Sequence, residues 1–371
     1  MRNLLLTSWM LGATLLAVPR AAAQPTVPTW TLREELRLDS ESHDLPAVSS
    51  IVVGPRGRMA VYIGTDRQIR VFEADGREAF RFGRQGSGPG EFQQSFLTLR
   101  FTGDSLWAFD MGLRRVTFIS PDGKLLRTQP LPTPPGVGWF FPQYIAGSVM
   151  VGNAMLTTGS GASATAENWL VRIGPGAGVT KIMAATFSAV TVSARSERGS
   201  RAHVVPFTAQ PSSANATMID RFAIVTTVAG ADGYSDAHVR SFRNDGSVVF
   251  DRKIPFRPVP VTASQRDSAL AAIEKASEFG AELASKAKPL IPTVHPLHRL
   301  VTQGNDGSVL ISVRSAAAAS GNLLIDPQGT PRAWLTLPPR AIVSSVDATH
   351  VWAVVRDEDD LPSLVRYRIV R

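Results

Sequence analysis

Residues 51–76, IVVGPRGRMAVYIGTDRQIRVFEADG, align without a gap with residues 98–123, TLRFTGDSLWAFDMGLRRVTFISPDG, at an offset of 47. Val52 falls on Leu99, Met59 on Leu106, Tyr62 on Phe109, Arg67 on Arg114, Phe72 on Ile119, and Asp75-Gly76 on Asp122-Gly123. A repeat of this length implies one supersecondary unit used over and over, each copy burying its apolar face on the next. Apolar and polar positions alternate along both copies and Asp-Gly supplies a two-residue turn. Each unit therefore reads as four short strands joined by hairpins. Looser copies follow at 221–254, ending in VRSFRNDGSVVFDRKI, at 307–337 and at 341–371.

Four-stranded units at this spacing are the blades of a β-propeller. The pattern gives blades near 47–83, 95–131, 138–187, 203–255, 292–338 and 340–371, which makes six, the last with only three strands. TWTLREELRL at 29–38 is a strand without a blade of its own. It is expected to supply the missing fourth strand, closing the ring and leaving no open sheet edge between the termini. A β-sandwich would explain neither the gapless repeat nor this orphan strand. The expected fold is all-β: a six-bladed propeller over 24–371, closed by the N-terminal strand and carrying one inserted helix.

That helix is expected at 262–288, TASQRDSALAAIEKASEFGAELASKAK. Thr262 stands three residues before Gln265, the spacing of a capping box. Leu270, Ile273, Phe279 and Leu283 recur at roughly helical period. The segment joins the outer strand of one blade to the inner strand of the next. Such connections emerge on the same face as the loops between strands two and three, so the helix is expected beside the mouth of the central channel, on the ligand face.

Residues 1–23 have the order of a secretory signal peptide: Arg2, an apolar run from Leu4 to Val18, then Ala21-Ala22-Ala23. The expected mature chain starts at Gln24 and is exported, periplasmic or secreted. No cysteine follows the apolar run, which excludes a lipoprotein anchor, and no transmembrane segment is expected after cleavage. Zero cysteine also removes disulfide frameworks, Cys-ligated metals and thiol nucleophiles. The formal charge of +8 loses Arg2 and Arg20 with the leader, leaving 37 basic against 31 acidic residues, or +6. Only six of the basic residues are lysine, and Arg114-Arg115 is the only adjacent arginine pair. Nothing in that scatter tracks a phosphate backbone, so nucleic acid is not an expected partner.

FGRQGSGPGEF at 82–92, the C-terminal VRYRIVR and the repeated Asp-Gly hairpins resemble exported bacterial six-bladed β-propeller proteins of the NHL-like type. The likeness spans most of the mature chain, and the Gly-Ser-Gly-Pro-Gly-Glu-Phe segment is its most specific part. It implies a scaffold shared by lactonases, lyases and binding modules, and so settles little chemistry. The metal-binding residues of the enzyme relatives have no counterpart motif in this sequence. The expected role is a binding or interaction module with its site at the channel mouth. The expected partner is a small molecule, a carbohydrate or an envelope protein. The alternative is a metal-dependent hydrolase, lactonase or lyase at the same place.

Several residues are candidates for that site. Gly86, Gly88 and Gly90 suggest a phosphate loop, but no Gly-Lys-Ser/Thr follows and the segment leads into a strand. A tight inter-blade turn is expected instead, with Phe92 packing between blades and Glu91 able to face the channel mouth. Asp66 and Arg67, with Asp110 and Arg114, fall in equivalent loops between strands two and three. They read as ligand contacts, or as Asp–Arg pairs and Asx turns that order each hairpin. His203, His295 and His298 precede or begin inner strands and offer imidazoles for zinc, without an evident third ligand. Asp357 opens a run of four acids in the last blade that would suit calcium only without the usual alternating spacing. No cofactor is expected, beyond zinc or calcium at these positions. No nucleophile elbow or ordered Ser/His/Asp set occurs, so nucleophilic hydrolysis finds no support.

Overall fold

The alternating runs fold as hairpins, and short antiparallel meanders account for most of the chain. The computed structural model describes residues 25–158, 165–184, 190–196, 199–208, 212–215, 220–229, 235–314 and 321–371. The leader expected at 1–23 lies outside them. Strand β1 (Thr29–Leu38) is followed by a four-stranded sheet of β2 (Val48–Val53), β3 (Met59–Ile63), β4 (Gln68–Phe72) and β5 (Glu78–Phe82). The next holds β6 (Thr98–Thr102), β7 (Ser105–Asp110), β8 (Arg115–Ile119) and β9 (Leu125–Pro130). A third holds β10 (Val137–Ala146), β11 (Val149–Thr158), β12 (Thr165–Ile173) and β13 (Val179–Ala184). After a two-stranded ribbon, β14 (Thr191–Ser196) and β15 (Gly199–Val204), comes a sheet of β16 (Ser212–Asn215), β17 (Phe222–Ala229), β18 (Ser235–Phe242) and β19 (Val248–Phe256).

Helices α1 (Ala263–Lys275) and α2 (Gly280–Ala287) then intervene. The remaining strands are β20 (His298–Gln303), β21 (Val309–Val313), β22 (Gly321–Ile325), β23 (Pro331–Leu335), β24 (Ala341–Val346), β25 (His350–Arg356) and β26 (Pro362–Val370). With β1 they form one eight-stranded sheet in the order β20-β21-β22-β23-β1-β26-β25-β24. Its two four-stranded halves meet where Thr29 and Trp30 pair in parallel with Trp334 and Leu335. From Thr31 to Leu38 the same strand pairs antiparallel with β26. The first and last parts of the chain are therefore stitched into one sheet, as the orphan strand required.

Neighbouring sheets bury their faces on each other, giving an all-β, propeller-like arrangement. Val52, Tyr62 and Phe92 pack with Leu99 and Leu106; Trp107 and Phe109 pack with Phe140 and Met150. Val151 and Leu170 meet Phe222 and Phe242, and Val225 and Phe250 meet Val301 and Ile311. Leu310 and Leu335 pack against Val351 and Tyr367 across the eight-stranded sheet. Trp352 and Leu364 then pack on Val61 and Phe72, which returns the circuit to the sheet where it began. First strands lie side by side in the pairs β2–β6, β6–β10, β16–β20, β20–β24 and β24–β2. Side-chain hydroxyls tie several of these pairs: Ser50 Oγ donates to the Leu97 carbonyl at 2.7 Å and Thr302 Oγ1 to the Val343 carbonyl at 3.4 Å.

Two expectations need correction. The helical segment is a pair of helices, not one. At Gly280 the backbone folds back so closely that a Cβ would lie 2.0 Å from the Glu274 carbonyl oxygen, which only glycine permits. The expected start of a blade at 203 also fails: residues 199–204 belong to the separate ribbon, and the first strand of that sheet is β16. The capping box is present, with Thr262 Oγ1 accepting from the Gln265 N–H and Gln265 Oε1 from the Thr262 N–H. None of the described helices is long and apolar enough to cross a membrane.

Candidate site on the helix-bearing face

Loops joining first to second and third to fourth strands lie at one end of every meander. Loops joining second to third strands, and all connections between sheets, lie at the other. Both large insertions are connections of the second kind: the ribbon precedes β16 and the helix pair precedes β20. They pack on one another, Val192, Ala194 and Val205 burying against Ile273, Leu283, Ala284 and Ala287, with Leu270 and Phe279 at the margin. Lys286 Nζ donates to the Ser193 carbonyl at 2.9 Å and adds a polar tie. The result is a small two-part cap whose elements precede two adjacent first strands, β16 and β20, in the chain.

Under its edge lies a cleft of about 320 Å³, lined by Val204, Val205, Pro206, Phe207, Thr208, His295, Pro296 and Arg314. That volume is near the lower end of the range for small-molecule sites, roughly 300–1,000 Å³. His295 is its best-defined polar group. Arg314 Nη1 donates to His295 Nδ1 at 2.5 Å, so Nδ1 is the unprotonated nitrogen. Nε2–H then donates to Gln265 Oε1 at 3.1 Å. The capping-box glutamine thereby couples the start of α1 to the cleft. Burial, and secondarily the charge on Arg314, hold the His295 imidazole below the ordinary histidine value and favour its neutral form. The Phe207 ring stands edge-on to it, with centroids 5.0 Å apart.

The other sequence candidates go elsewhere. His298 is buried on β20 with Nδ1 3.3 Å from Thr227 Oγ1, and His203 lies on β15 opposite Val192. Among the described residues no three His, Asp or Glu side chains group so as to hold a metal. Asp110 is buried and accepts from the N–H groups of Gln93, Gln94 and Leu113, the last an Asx-type turn. Arg67 Nε donates to the Gln93 carbonyl at 2.9 Å, and Arg114 Nη2 to Thr133 Oγ1 at 3.2 Å. Asp66 is exposed in the same loop as Arg67. Glu91 folds back onto the Gly88 N–H and Arg84, which together lower its pKa. Asp357 is at an exposed hairpin tip, accepting the Leu361 N–H while its carbonyl takes an Arg340 N–H. These side chains order loops on the helix-bearing face, and of the named candidates only His295 lines the cleft.

Sequence reasoning missed Phe207, Arg314 and a further cation, Arg100. Arg100 sits mid-strand on β6, where the 47-residue offset puts Val53 in the preceding copy. A charge in a position that the repeat fills with valine was the available signal. Its Nη1 donates to the Leu99 carbonyl at 2.7 Å and its Nη2 to Gln143 Oε1, on β10, at 2.9 Å. Its Nε is buried with no hydrogen-bond partner. Desolvation pushes the guanidinium down to about 10. The first strands VSSIVV, TLRFT, VGWFFPQYIA, SSAN, HRLVTQ and AIVSSV contain no Asp or Glu. Leu300 and Ile342 on two of them are 44% and 55% exposed.

Two clefts open on the opposite face. One of about 370 Å³ is lined by Val53–Gly57, Asn305, Asp306, Ser345, Val346, Asp347 and Trp352. Its carboxylates serve the turns: Asp306 accepts from Ser308 and the Ala348 N–H, Asp347 from Thr349 and the His350 N–H. The other, of about 480 Å³, includes Asp326, which accepts from the Gln328 and Thr330 N–H groups and from Arg332. Both are grooves between hairpin turns whose acids are already committed to backbone.

No family model matches the chain, and no curated protein matches it. Solved structures do. A catalytically inactive virginiamycin B lyase from Staphylococcus aureus with quinupristin is 10% identical over 92% of this chain and 99% of its own, with a TM-score of 0.39. A member of the DUF4221 family from Bacteroides vulgatus is 10% identical over 92% and 98%, with a TM-score of 0.45. The calcium-binding protein regucalcin from Agrobacterium tumefaciens is 11% identical over 92% and 96%, with a TM-score of 0.39.

Proposed function

We propose that this chain is an exported six-bladed β-propeller that binds a small molecule at the channel mouth, on the face carrying the ribbon and helix pair. The count of six takes each half of the eight-stranded sheet as a blade beside the four separate sheets. It is supported by the circuit of sheet-to-sheet clusters that returns to β2–β5. Export rests on the tripartite order of residues 1–23. The carrying observation is the cleft where the two inter-sheet insertions meet. Both insertions are on one face, and together they shape a concave, largely apolar surface with two convergent polar groups.

A metal-dependent hydrolase or lyase would want carboxylates or imidazoles converging from several inner strands. Those strands carry no Asp or Glu, which favours binding over that chemistry. The test uses the mature chain and the neutral apolar probe N-phenyl-1-naphthylamine, whose fluorescence rises on burial. Saturable binding at one site is expected, and Val204→Trp, which fills the cleft, should weaken it at least tenfold without changing the circular dichroism. Binding unaffected by Val204→Trp would place the site elsewhere and refute the reading.

A further inference from the structure

We infer that the ligand of this cleft is an anion with an apolar body, its charged group held by Arg314. The inference rests on the channel-mouth reading above and adds the chemical class. Three observations carry it. First, among the described residues Arg314 forms no ion pair with any carboxylate, and its one hydrogen bond to a side chain is to His295 Nδ1. A guanidinium has five N–H donors in a fixed fork suited to a carboxylate, sulfonate or phosphate.

Second, among the described residues the lining is free of competing acid. Val204, Val205, Pro206, Phe207 and Pro296 are apolar, Thr208 is neutral, and Thr208 Oγ1 is turned to the Val205 carbonyl at 2.8 Å. His295 adds no negative charge and, if protonated, adds a positive one.

Third, the first strands carry a cation, Arg100, and no acidic residue, and Arg100, like Arg314, has no ion-pair partner among the described residues. Low-dielectric walls of one charge sign focus the potential at a mouth and raise the local concentration of oppositely charged ligand. A cationic ligand would meet repulsion both in the cleft and along the wall. A neutral one would leave Arg314 without a counter-charge.

The experiment pairs two probes of the same apolar body, 8-anilinonaphthalene-1-sulfonate and the neutral N-phenyl-1-naphthylamine, on the mature chain. The anion is expected to bind at least tenfold more tightly, with the preference shrinking severalfold between low salt and half-molar sodium chloride. Arg314→Gln should abolish the preference, and Arg314→Lys should restore part of it. Equal affinity of the two probes for the unmodified chain, or a preference that survives Arg314→Gln, overturns the inference but leaves the cleft as a site. Failure of both probes to saturate overturns the channel-mouth reading as well. Should Arg314→Gln fail to fold, the salt dependence and Arg314→Lys decide the matter.

Discussion

Arg100→Met separates a cation kept for binding from one kept for structure. Burial lowers the Arg100 guanidinium to about 10. That is more than two pH units below an ordinary arginine and amounts to roughly 3 kcal/mol against the charged form. Part of the side chain keeps access to solvent, so about 2 kcal/mol is the better figure. A depressed base is penalised in the fold at every pH below its folded value, so this cost is fully present at neutral pH and is relieved only above about pH 10.

Methionine removes that cost, keeps the length of the chain and loses the hydrogen bonds to the Leu99 carbonyl and Gln143. At about 1 kcal/mol each, those bonds nearly cancel the gain. The expected change in unfolding free energy is therefore within about 1 kcal/mol of zero, although a buried cation with two hydrogen bonds has been deleted. Urea denaturation followed by tryptophan fluorescence and circular dichroism measures it, with an unchanged slope as the check on two-state behaviour. A loss above about 3 kcal/mol, the usual cost of breaking a well-compensated buried polar cluster, would refute the reasoning. It would make Arg100 a clamp between β6 and β10 instead of a source of field. With stability preserved, anionic-probe affinity should still fall two- to fivefold as the focusing cation is lost.

Phe92→Ala should cost about 3–5 kcal/mol, because the ring is wholly buried between Tyr62 and Phe82 and the cavity has rigid walls. A shift in urea midpoint corresponding to less than about 1 kcal/mol would show that the 83–97 connection can collapse around the gap. Acidification should destabilise the fold through His295. Its folded value is depressed, chiefly by burial and then by Arg314, so below about pH 6.5 the unfolded chain takes up the proton more readily. Stability should drop as the pH falls from 7.5 to 5.5, and His295→Gln should flatten that part of the profile; identical profiles would count against a buried neutral imidazole.

The 47-residue repeat was legible down to the backbone. Arg67 and Arg114 both take left-handed φ, 55° and 49°, and Gly76 and Gly123 take 92° and 82°, so the aligned positions perform the same turns. The capping box and the orphan strand were equally readable, because each depends on a few residues at fixed spacing. The ribbon was not. Residues 191–204 alternate like any blade strand, and alternation says that a strand has two faces without saying which sheet it joins. The break between the helices turned on one glycine, whose close approach to Glu274 is a tertiary fact. The site candidates are a different matter: Asp110, Glu91 and Asp357 are acids near turns, and each accepts a local backbone N–H, a local use that the residue type alone did not distinguish from a ligand contact. Arg314 carried no sequence signal, since its role depends on the absence, among the described residues, of an acid paired with it.

Topology explains why chemistry gathers on one face. In a ring of up-and-down meanders every inter-sheet connection emerges at the same end, and those connections can lengthen at a cost that grows only slowly with loop length. The opposite end is closed by tight turns that depend on left-handed residues such as Arg56-Gly57, Gly123, Gly246 and Gly329, and their acids are tied to turn N–H groups. An inserted residue there breaks a defined turn, whereas one added between β13 and β16 or between β19 and β20 enlarges the cap. Both large insertions of this chain lie in those permissive connections and bury apolar surface on each other. New lining residues such as Phe207 and His295 can thus be acquired without disturbing any blade. Specificity on such a scaffold is set by the insertions, and the inner strands contribute the sign of the field.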